Sequence, residues 1–266
     1  MKKYRIAPGT KVKLSKWDPA DTGSWKKGDK AEKQQAADVE RLAELQELLY
    51  AENRRAVLVV LQAMDTGGKD GTIRHVFRGL DPTGCRVTSF KKPSDEELDH
   101  DFLWRMSRGV PRWGEIGIFN RSHYEDVLIA RVNELVPPAV WKARYERINH
   151  WERDLVDSGI TVVKFFLHIS REEQKERLQA RLDDPAKRWK FAPDDLAARQ
   201  KWDDYQRAYE DALTKCSTEH APWHIVPADK KWYRNLVVAR TLVDVLEKMD
   251  PKPPRVELDK GITIPD

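Results

Sequence analysis

Cysteine is scarce in this chain, which argues against a disulfide framework or a cysteine-rich metal site. The 266 residues include two cysteines, Cys85 and Cys216, and they fit no metal-binding spacing. Disulfides accumulate in oxidising compartments, whereas cytoplasmic proteins keep their thiols reduced. We therefore expect free thiols and a cytoplasmic location.

Long apolar runs are also missing. No stretch reaches the roughly 18 consecutive apolar residues that an ordinary membrane-spanning helix needs. The first residues, MKKYRIAPG, lack the apolar core of a signal peptide. Charged residues make up 35% of the chain and hydrophobic residues 40%. We therefore expect a soluble globular protein that has no membrane partner.

The chain also lacks an internal repeat, a low-complexity tract and a convincing linker. We therefore predict a single domain over residues 1–266, long enough to bury a sizeable core. An N-terminal arm is expected at 1–32 and a loosely held tail at 250–266. The net charge of +4 permits an anionic partner without requiring one.

Short apolar segments alternate with amphipathic ones along the chain. Five short strands joined by helical crossovers predict a parallel sheet with helices on both faces. In such a sheet, ligands bind at the carboxyl ends of the strands. The predicted strands cover residues 56–61, 86–90, 115–119, 161–169 and 223–226. Ser94, with Glu97 three residues later, is predicted to cap a helix that reaches about Arg108, and Ser170 is predicted to cap the helix after the fourth strand. Another helix is predicted from about Pro193 to Leu213.

The stretch VLVVLQAMDTGGKDGT at 57–72 combines a buried strand, a tight loop and a helix start. That arrangement aims backbone N–H groups and Lys69 at one point, where phosphate binds. The pattern departs twice from GxxxxGK[ST], because Ala63 replaces the first glycine and Asp70 replaces the Mg²⁺-binding hydroxyl. The alternative interpretation is a plain strand-to-helix turn with a solvated lysine.

Within this loop the glycines allow the backbone to approach phosphate oxygens, and Lys69 supplies a positive charge. Asp65 is the odd member, because an acid repels phosphate unless it holds Mg²⁺ or orients the acceptor. Its alternative role is to hydrogen-bond its own turn. The predicted phosphate-binding residues are Gly67, Gly68, Lys69, Asp70, Gly71, Thr72 and Arg74.

A polar cluster, FNRSHYED at 119–126, directly follows the third predicted strand. Arg121 can bind a phosphate through two parallel hydrogen bonds. Glu125 and Asp126 are candidate Mg²⁺ ligands, since that ion prefers oxygen donors. Ser122 can instead cap a helix here, and the two interpretations are compatible.

Basic residues are dense after the fourth predicted strand. Arg177 and Arg181 are four residues apart and share a helix face. The alternative is a solvated helix whose glutamates pair with these arginines. We predict a lid at about 171–200 that closes over phosphates. Additional polyphosphate-binding candidates are Arg121, Lys187, Arg188, Lys190, Lys230 and Lys231.

Taken together, four segments are similar to the polyphosphate kinase type 2 family, over about residues 30–248. They are MDTGGKDGT at 64–72, FNRSHYEDV at 119–127, KFFLHIS at 164–170 with the basic helix after it, and RLDDPAKRWKF at 181–191. The resemblance implies a thymidylate-kinase-like P-loop fold. It also implies Mg²⁺-dependent phosphoryl transfer between inorganic polyphosphate and a nucleotide.

The resemblance also implies roles for individual residues. It assigns Asp65, Gly68 and Lys69 to the phosphate loop, Arg121 to the second motif, and Arg177 and Arg181 to the lid. The predicted catalytic residues are Asp65, Lys69, Arg121, Arg177 and Arg181. The predicted nucleotide-binding residues are Asp65, Asn120 and Glu125, and the metal candidates are Asp65, Glu125 and Asp126.

Asn120 departs from the aspartate that many family members carry. The change removes one candidate Mg²⁺ ligand. It also resembles the subgroup that phosphorylates both nucleoside mono- and diphosphates, so we expect conversion of AMP to ADP to ATP. The direction of transfer, the base preference and the metal-binding carboxylates stay open.

The expected partners are inorganic polyphosphate and nucleoside mono- and diphosphates, and we also expect a homo-oligomer. An ATP-dependent nucleotide kinase of the same fold is the first alternative. A nucleic-acid-binding protein is the second, because basic patches and ten tryptophans permit phosphate contacts and base stacking. We expect no nucleic-acid partner, since the tryptophans are dispersed along core helices.

Overall fold

The sheet has five strands in a computed structural model that describes residues 1–257 and 263–264. Every strand pair is parallel, and the spatial order is β2-β3-β1-β4-β5. The strands are β1 (Ala56–Gln62), β2 (Cys85–Ser89), β3 (Ile116–Asn120), β4 (Ile160–His168) and β5 (Trp223–Pro227). The predicted parallel five-stranded α/β fold is confirmed.

Ten α-helices connect and surround these strands within the described residues. The long helices are α1 (Asp29–Glu52), α6 (Pro138–Asp157), α7 (Arg171–Asp183), α9 (Trp202–Cys216) and α10 (Lys231–Met249). The short helices are α2 (Lys69–Val76), α3 (Asp95–Leu98), α4 (Trp104–Ser107), α5 (Ile129–Val132) and α8 (Pro193–Gln200).

The core forms around the central strand. Every residue of β1 is buried, as is typical of a parallel strand covered on both faces. Helix α1 packs along α10, and α6 packs against β4 and α9. The continuous apolar runs therefore fix the sheet interior and leave the strand ends free for polar residues.

Two predicted helices are interrupted. The helix expected from Ser94 to Arg108 begins with the predicted Ser94–Glu97 capping box but splits into α3 and α4. The Asp101 carboxylate accepts a hydrogen bond from the Leu103 backbone N–H at 2.9 Å, which competes with helix continuation. The helix expected over 193–213 is likewise divided, between α8 and α9 at Lys201.

The N-terminal arm pairs with the start of β5 through Arg5 and Ile6 and also reaches the carboxyl edge of the sheet. The Tyr4 and Tyr233 hydroxyls are 2.8 Å apart, and the Asp229 backbone N–H donates to the Pro19 carbonyl at 3.1 Å. Of the predicted tail, residues 258–262 and 265–266 lie outside the described residues. No helix in the described part of the chain is long and apolar enough to cross a membrane.

Candidate functional site

A cleft of about 970 Å³ opens at the carboxyl ends of β1 and β3. It brings together residues from the phosphate loop, the FNRSHYED segment, the lid and α10. The predicted site residues that line it are Asp65, Gly67, Gly68, Lys69, Asp70, Gly71, Arg74, Asn120, Arg121, Arg177, Arg181, Lys187, Lys190 and Lys231. The predicted residues outside its lining are Thr72, Glu125, Asp126, Arg188 and Lys230.

The phosphate loop is tightly wound between β1 and α2. Gly68 precedes α2 with φ +104°, a conformation that side-chain-bearing residues rarely adopt. A Cβ added at Gly67 would lie 2.5 Å from the Ala63 Cβ. The curvature of the loop therefore requires both glycines. The first backbone N–H groups of α2 have no partner within the helix and are available to an anion in the cleft.

Lys69 is held inside the curve of this loop. Its Nζ donates to the Ala63 carbonyl oxygen at 2.9 Å. Burial, followed by the nearby charge of Arg121, holds the pKa of Lys69 below its usual value. The ammonium is therefore a positive charge in a poorly solvated position, where an anion gains most by approaching it.

The Asp65 carboxylate forms an ion pair with Arg121 across the cleft. Its Oδ1 accepts from the Arg121 guanidinium at 3.0 Å. Arg121 has φ +65°, which is uncommon for a residue other than glycine, and its backbone N–H donates to Leu61 at 3.1 Å. Although burial opposes it, the carboxylates of Glu125 and Asp65 raise the pKa of Arg121. The strained turn after β3 thus aims a permanent cation at the loop.

Asn120, which replaces the aspartate of many family members, contacts Asp70, which replaces the hydroxyl of the GxxxxGK[ST] pattern. The Asn120 side-chain amide donates to the Asp70 carboxylate at 2.8 Å. An aspartate at position 120 would instead place two carboxylates at hydrogen-bond distance. An asparagine at position 120 therefore donates a hydrogen bond to Asp70 where an aspartate would repel it.

Asp126 points to a different set of neighbours. Its carboxylate lies 3.2 Å from the Arg144 guanidinium. Burial raises the pKa of Asp126 to about 6, although Arg144 and Arg105 act in the opposite direction. The structure thus separates Asp126 from the phosphate loop, whereas Glu125 remains in electrostatic contact with Lys69 and Arg121.

Arg177 and Arg181, both predicted as lid residues, are bonded differently. Arg177 is 9% exposed and donates to the Glu173 carboxylate and to the carbonyls of Thr66, Ala228 and Asp229. It therefore clamps the phosphate loop to the end of β5. Arg181 pairs with Asp195 at 3.1 Å, which joins α7 to α8.

Arg234, the fourth residue of α10, is a prominent cleft residue that the sequence placed only in a basic patch with Lys230 and Lys231 after the last predicted strand. Its guanidinium is buried, and the side chain is only 2% exposed. A Cβ added at Gly68 would lie 1.8 Å from its Nη1. Its side-chain hydrogen bonds go to the Asn235 side-chain oxygen, and it forms no ion pair with any described residue.

The electrostatic consequence is an uncompensated buried charge. Burial and the neighbouring Arg177 lower the pKa of Arg234 to about 9. The sequence signal was only its place in a basic run after β5, and nothing local shows that the helix turns it inward. Asp195 was missed for the same reason, because its side chain reaches the cleft only through the fold of the lid.

The carboxylates of the cleft fit Mg²⁺ only if substrate supplies most of its ligands. No group of three or more His, Cys, Asp or Glu side chains among residues 1–257 and 263–264 is arranged to hold a metal. Mg²⁺ typically uses one or two carboxylates together with waters and phosphate oxygens. Asp65 in the cleft lining, with Glu125 in electrostatic contact with Lys69 and Arg121, fits that requirement. The Arg144-bound Asp126 does not.

This geometry agrees with the sequence comparison. Residues 24–254 match the sequence profile of the family described as polyphosphate kinase 2. The chain belongs to the polyphosphate kinase 2 family. The matched span contains the whole sheet, the phosphate loop, the lid and α10.

Several individual polyphosphate kinase 2 relatives match over nearly the whole chain. The AMP/ADP-polyphosphate phosphotransferase of Meiothermus ruber is 55% identical over 258 residues, which are 97% of either chain. The ADP-polyphosphate phosphotransferase of Rhodopseudomonas palustris is 46% identical and covers 93% of this chain and 90% of its own.

Solved structures support the same assignment. The crystal structure of polyphosphate kinase 2 from Arthrobacter aurescens superposes with a TM-score of 0.91 at 47% identity. The match covers 97% of this chain and 92% of that one. The predicted P-loop kinase-like fold is therefore confirmed, together with the family resemblance.

Proposed function

We propose that this protein transfers the terminal phosphoryl group of inorganic polyphosphate to nucleoside mono- and diphosphates, taking AMP to ADP and ADP to ATP. One observation carries the proposal, namely that Arg234 places a buried guanidinium, which pairs with no carboxylate of the described residues, against the phosphate loop. A polyanionic substrate would supply the missing negative charge. The activities for which the Meiothermus ruber and Rhodopseudomonas palustris relatives are named agree with this substrate class.

The chemistry requires charge neutralisation and alignment more than proton transfer. A nucleotide acceptor attacks through a phosphate oxygen that is already largely ionised near neutral pH, so no strong general base is needed. Among the described cleft-lining residues, His75 is the only histidine, and its Nδ1 lies 2.7 Å from the Gly71 carbonyl oxygen. Lys69, Arg121 and Arg234 would stabilise charge on the transferring group.

The acidic residues orient these cations and accept the metal. Asp65 fixes the Arg121 guanidinium and, with Glu125, would bind Mg²⁺ together with substrate phosphates. When bound, Mg²⁺ would neutralise charge on the phosphate oxygens. The ion pair between Arg181 and Asp195 would keep α7 and α8 together as the lid covers the substrate.

The donor distinguishes this proposal from an ATP-dependent nucleotide kinase. Purified protein is given AMP and Mg²⁺ with either polyphosphate or ATP as the phosphoryl donor, and ADP is quantified by chromatography. We expect kcat/KM to be much higher with polyphosphate. A preference for ATP would instead support the alternative.

Replacing Lys69 tests the phosphate loop. We expect Lys69→Ala to lower kcat/KM for polyphosphate by about 10³-fold or more, because the loop cation acts directly on phosphate. The melting temperature should stay within a few degrees, since among the described residues the Lys69 ammonium donates only to the Ala63 carbonyl. A large fall in melting temperature would show that Lys69 is structural.

The cellular setting and the assembly state are also part of the proposal. Both cysteines are free thiols, which agrees with a reducing cytoplasm. Homo-oligomerisation remains a prediction. Light scattering coupled to size-exclusion chromatography measures it, and a monomer at working concentration would contradict it.

A further inference from the structure

A buried ion pair lies behind the FNRSHYED segment. The Lys164 ammonium, in the middle of β4, is 2.5 Å from the Glu152 carboxylate of α6, and neither side chain is exposed. The ammonium also donates to the Tyr124 hydroxyl at 2.8 Å and to the Cys216 carbonyl oxygen at 2.7 Å. All three donors of the lysine are therefore used. The lining of the cleft includes neither Lys164 nor Glu152.

The Glu152 carboxylate connects this ion pair to the turn that follows β3. The turn is a short 3₁₀ helix, His123–Asp126, which we call the 123–126 turn. The Glu152 Oε1 accepts from the Tyr124 hydroxyl at 2.9 Å and lies 3.1 Å from the His123 Nε2. The side chains of His123 and Tyr124 are fully buried. One carboxylate therefore fixes two successive side chains of the turn.

The same segment also carries cleft residues. Arg121 lies two residues before His123 and pairs with Asp65 at 3.0 Å. Glu125, a candidate Mg²⁺ ligand, lies within the 123–126 turn. The φ of +65° at Arg121 is unfavourable for a residue other than glycine and persists only where the surrounding structure holds it. The contacts that fix the turn therefore also fix the direction of the Arg121 side chain.

A buried ion pair is a costly way to fill this part of the core. Removing two charges from water can cost more than their attraction returns, and apolar side chains of similar volume are often at least as stable. Hydrogen bonds, however, fix their partners at one distance and in one direction, whereas apolar side chains can pack in several ways. The pair of Lys164 and Glu152 therefore contributes more to the position of the turn than to the stability of the fold.

We propose that Lys164 and Glu152 are positioning residues for phosphoryl transfer, which hold the 123–126 turn so that Arg121 reaches the transferring group. This inference rests on the proposed function and extends it to two buried residues outside the cleft. They touch no substrate and act through His123 and Tyr124. A misplacement of about 1 Å at a group that stabilises the transition state can cost about 10²-fold in rate.

The experiment compares two double variants of the full-length protein. Lys164→Met with Glu152→Met, the apolar variant, removes both charges together and so leaves neither buried without its partner. With AMP saturating, we expect kcat to fall about 30-fold and KM for polyphosphate to stay within about threefold, because the other cleft cations still bind the chain. Lys164→Met with Glu152→Gln keeps an oxygen that accepts from the Tyr124 hydroxyl. We expect this conservative variant to restore kcat to within about fivefold of wild type.

A double-mutant cycle with Arg121→Ala tests whether the ion pair acts through that arginine. Once the guanidinium is removed, its position no longer matters. We therefore expect the apolar variant combined with Arg121→Ala to have a kcat within about twofold of Arg121→Ala alone. If the two losses multiply instead, the ion pair acts by another route, and the inference is overturned.

Tyr124→Phe tests the same connection without changing a charge, so it decides the matter even if the apolar variant does not fold. It removes only the hydroxyl that joins the turn to Lys164 and Glu152. We expect kcat to fall about fivefold or more, and this loss to disappear in the Arg121→Ala background.

Tyr145→Phe is the matched control. Tyr145 is also buried and lies on α6, but its hydroxyl accepts from Arg131 and not from the ion pair. We expect its kcat to stay within about twofold of wild type. Equal losses in the two tyrosine variants would show a general effect of removing a buried hydroxyl and would contradict the positioning role.

Failure of this inference can be told apart from failure of the proposed function. An active wild type whose kcat is unchanged by the apolar variant and by Tyr124→Phe would remove the positioning role and leave the proposed function intact. A rise in KM for polyphosphate with kcat unchanged would also overturn it, since the ion pair would then act on binding. A wild type that transfers nothing from polyphosphate would refute the proposed function, and this inference with it.

Discussion

Arg234 places a positive charge against Gly68 and Gly71, and no carboxylate in the described part of the chain forms an ion pair with it. Burying an uncompensated charge costs stability, and replacing buried charges by apolar groups is often stabilising by about 1–4 kcal/mol. The lowered pKa of about 9 agrees with such a cost, because below that pH the folded state carries a charge that burial disfavours. We therefore expect Arg234 to lower the stability of the folded protein and to increase its affinity for the anionic substrate.

Replacing Arg234 by methionine tests both expected effects, on stability and on substrate binding. We expect Arg234→Met to raise the melting temperature by several degrees at pH 7 and to lower kcat/KM for polyphosphate by at least about 10²-fold. Thermal unfolding and initial rates measure the two effects on one preparation. Lower stability together with unchanged transfer would contradict the assignment.

Arg240 provides a control on the same helix. Its guanidinium pairs with the buried Asp38 at 2.9 Å and does not line the cleft. Arg240→Met leaves that carboxylate buried without its partner, so we expect the melting temperature to fall. Transfer rates measured well below the new melting temperature should match those of wild type.

Asn120 and Asp70 form a second residue-scale test. Asn120→Asp alone should lower kcat/KM by about 5–30-fold, because a hydrogen bond to a charged group becomes a repulsion. Adding Asp70→Asn restores one donor and one acceptor, so activity should partly recover. Additive losses in the double variant would show that the two side chains act independently.

At the scale of elements, the lid exposes large apolar side chains around its basic turn. Trp189 is 78% exposed, Leu196 47% and Leu182 38%. Such exposure agrees with a segment that changes its contacts when phosphates bind. We expect trypsin cleavage after Lys187, Arg188 and Lys190, followed by mass spectrometry, to slow several-fold with polyphosphate and AMP present. An unchanged rate at these sites would contradict lid closure.

The strands and the two serine-capped helix starts were predictable because their signals are local. Alternating apolar segments gave all five strands, and Ser94 and Ser170 cap helices as their spacing indicates. The breaks were not predictable. Asp101 interrupts a helix through its own side chain, and α8 ends before the buried Trp202 without glycine or proline to mark it.

The sequence predicts those site residues that lie at or just after the carboxyl ends of strands. Asn120 ends β3, Arg121 follows it, and Lys69 ends the loop after β1, so the parallel sheet brings them to one edge. Arg234 and Asp195 depend on how α10 and the lid pack. The Asn120–Asp70 bond depends on a pairing across two loops, which spacing along the chain does not reveal.

At the scale of the whole molecule, the net charge is a modest +4, but positive charges are concentrated at the cleft. Most lysines and arginines that line the cleft form no ion pair with another described residue, and the exceptions are Arg121, Arg177, Arg181 and Lys187. We expect polyphosphate affinity to fall at least about tenfold between roughly 50 and 200 mM salt, by analogy with other polyanions. Affinity titrations at several salt concentrations measure the slope, and a flat response would contradict a basic binding path.

The most direct test of the account follows nucleotides over time in a reaction that contains the protein, AMP, Mg²⁺ and long-chain polyphosphate as the only phosphoryl donor. The account predicts that ADP appears first and ATP second, with a matching loss of terminal phosphate from the polyphosphate. If neither ADP nor ATP forms, the central claim is contradicted.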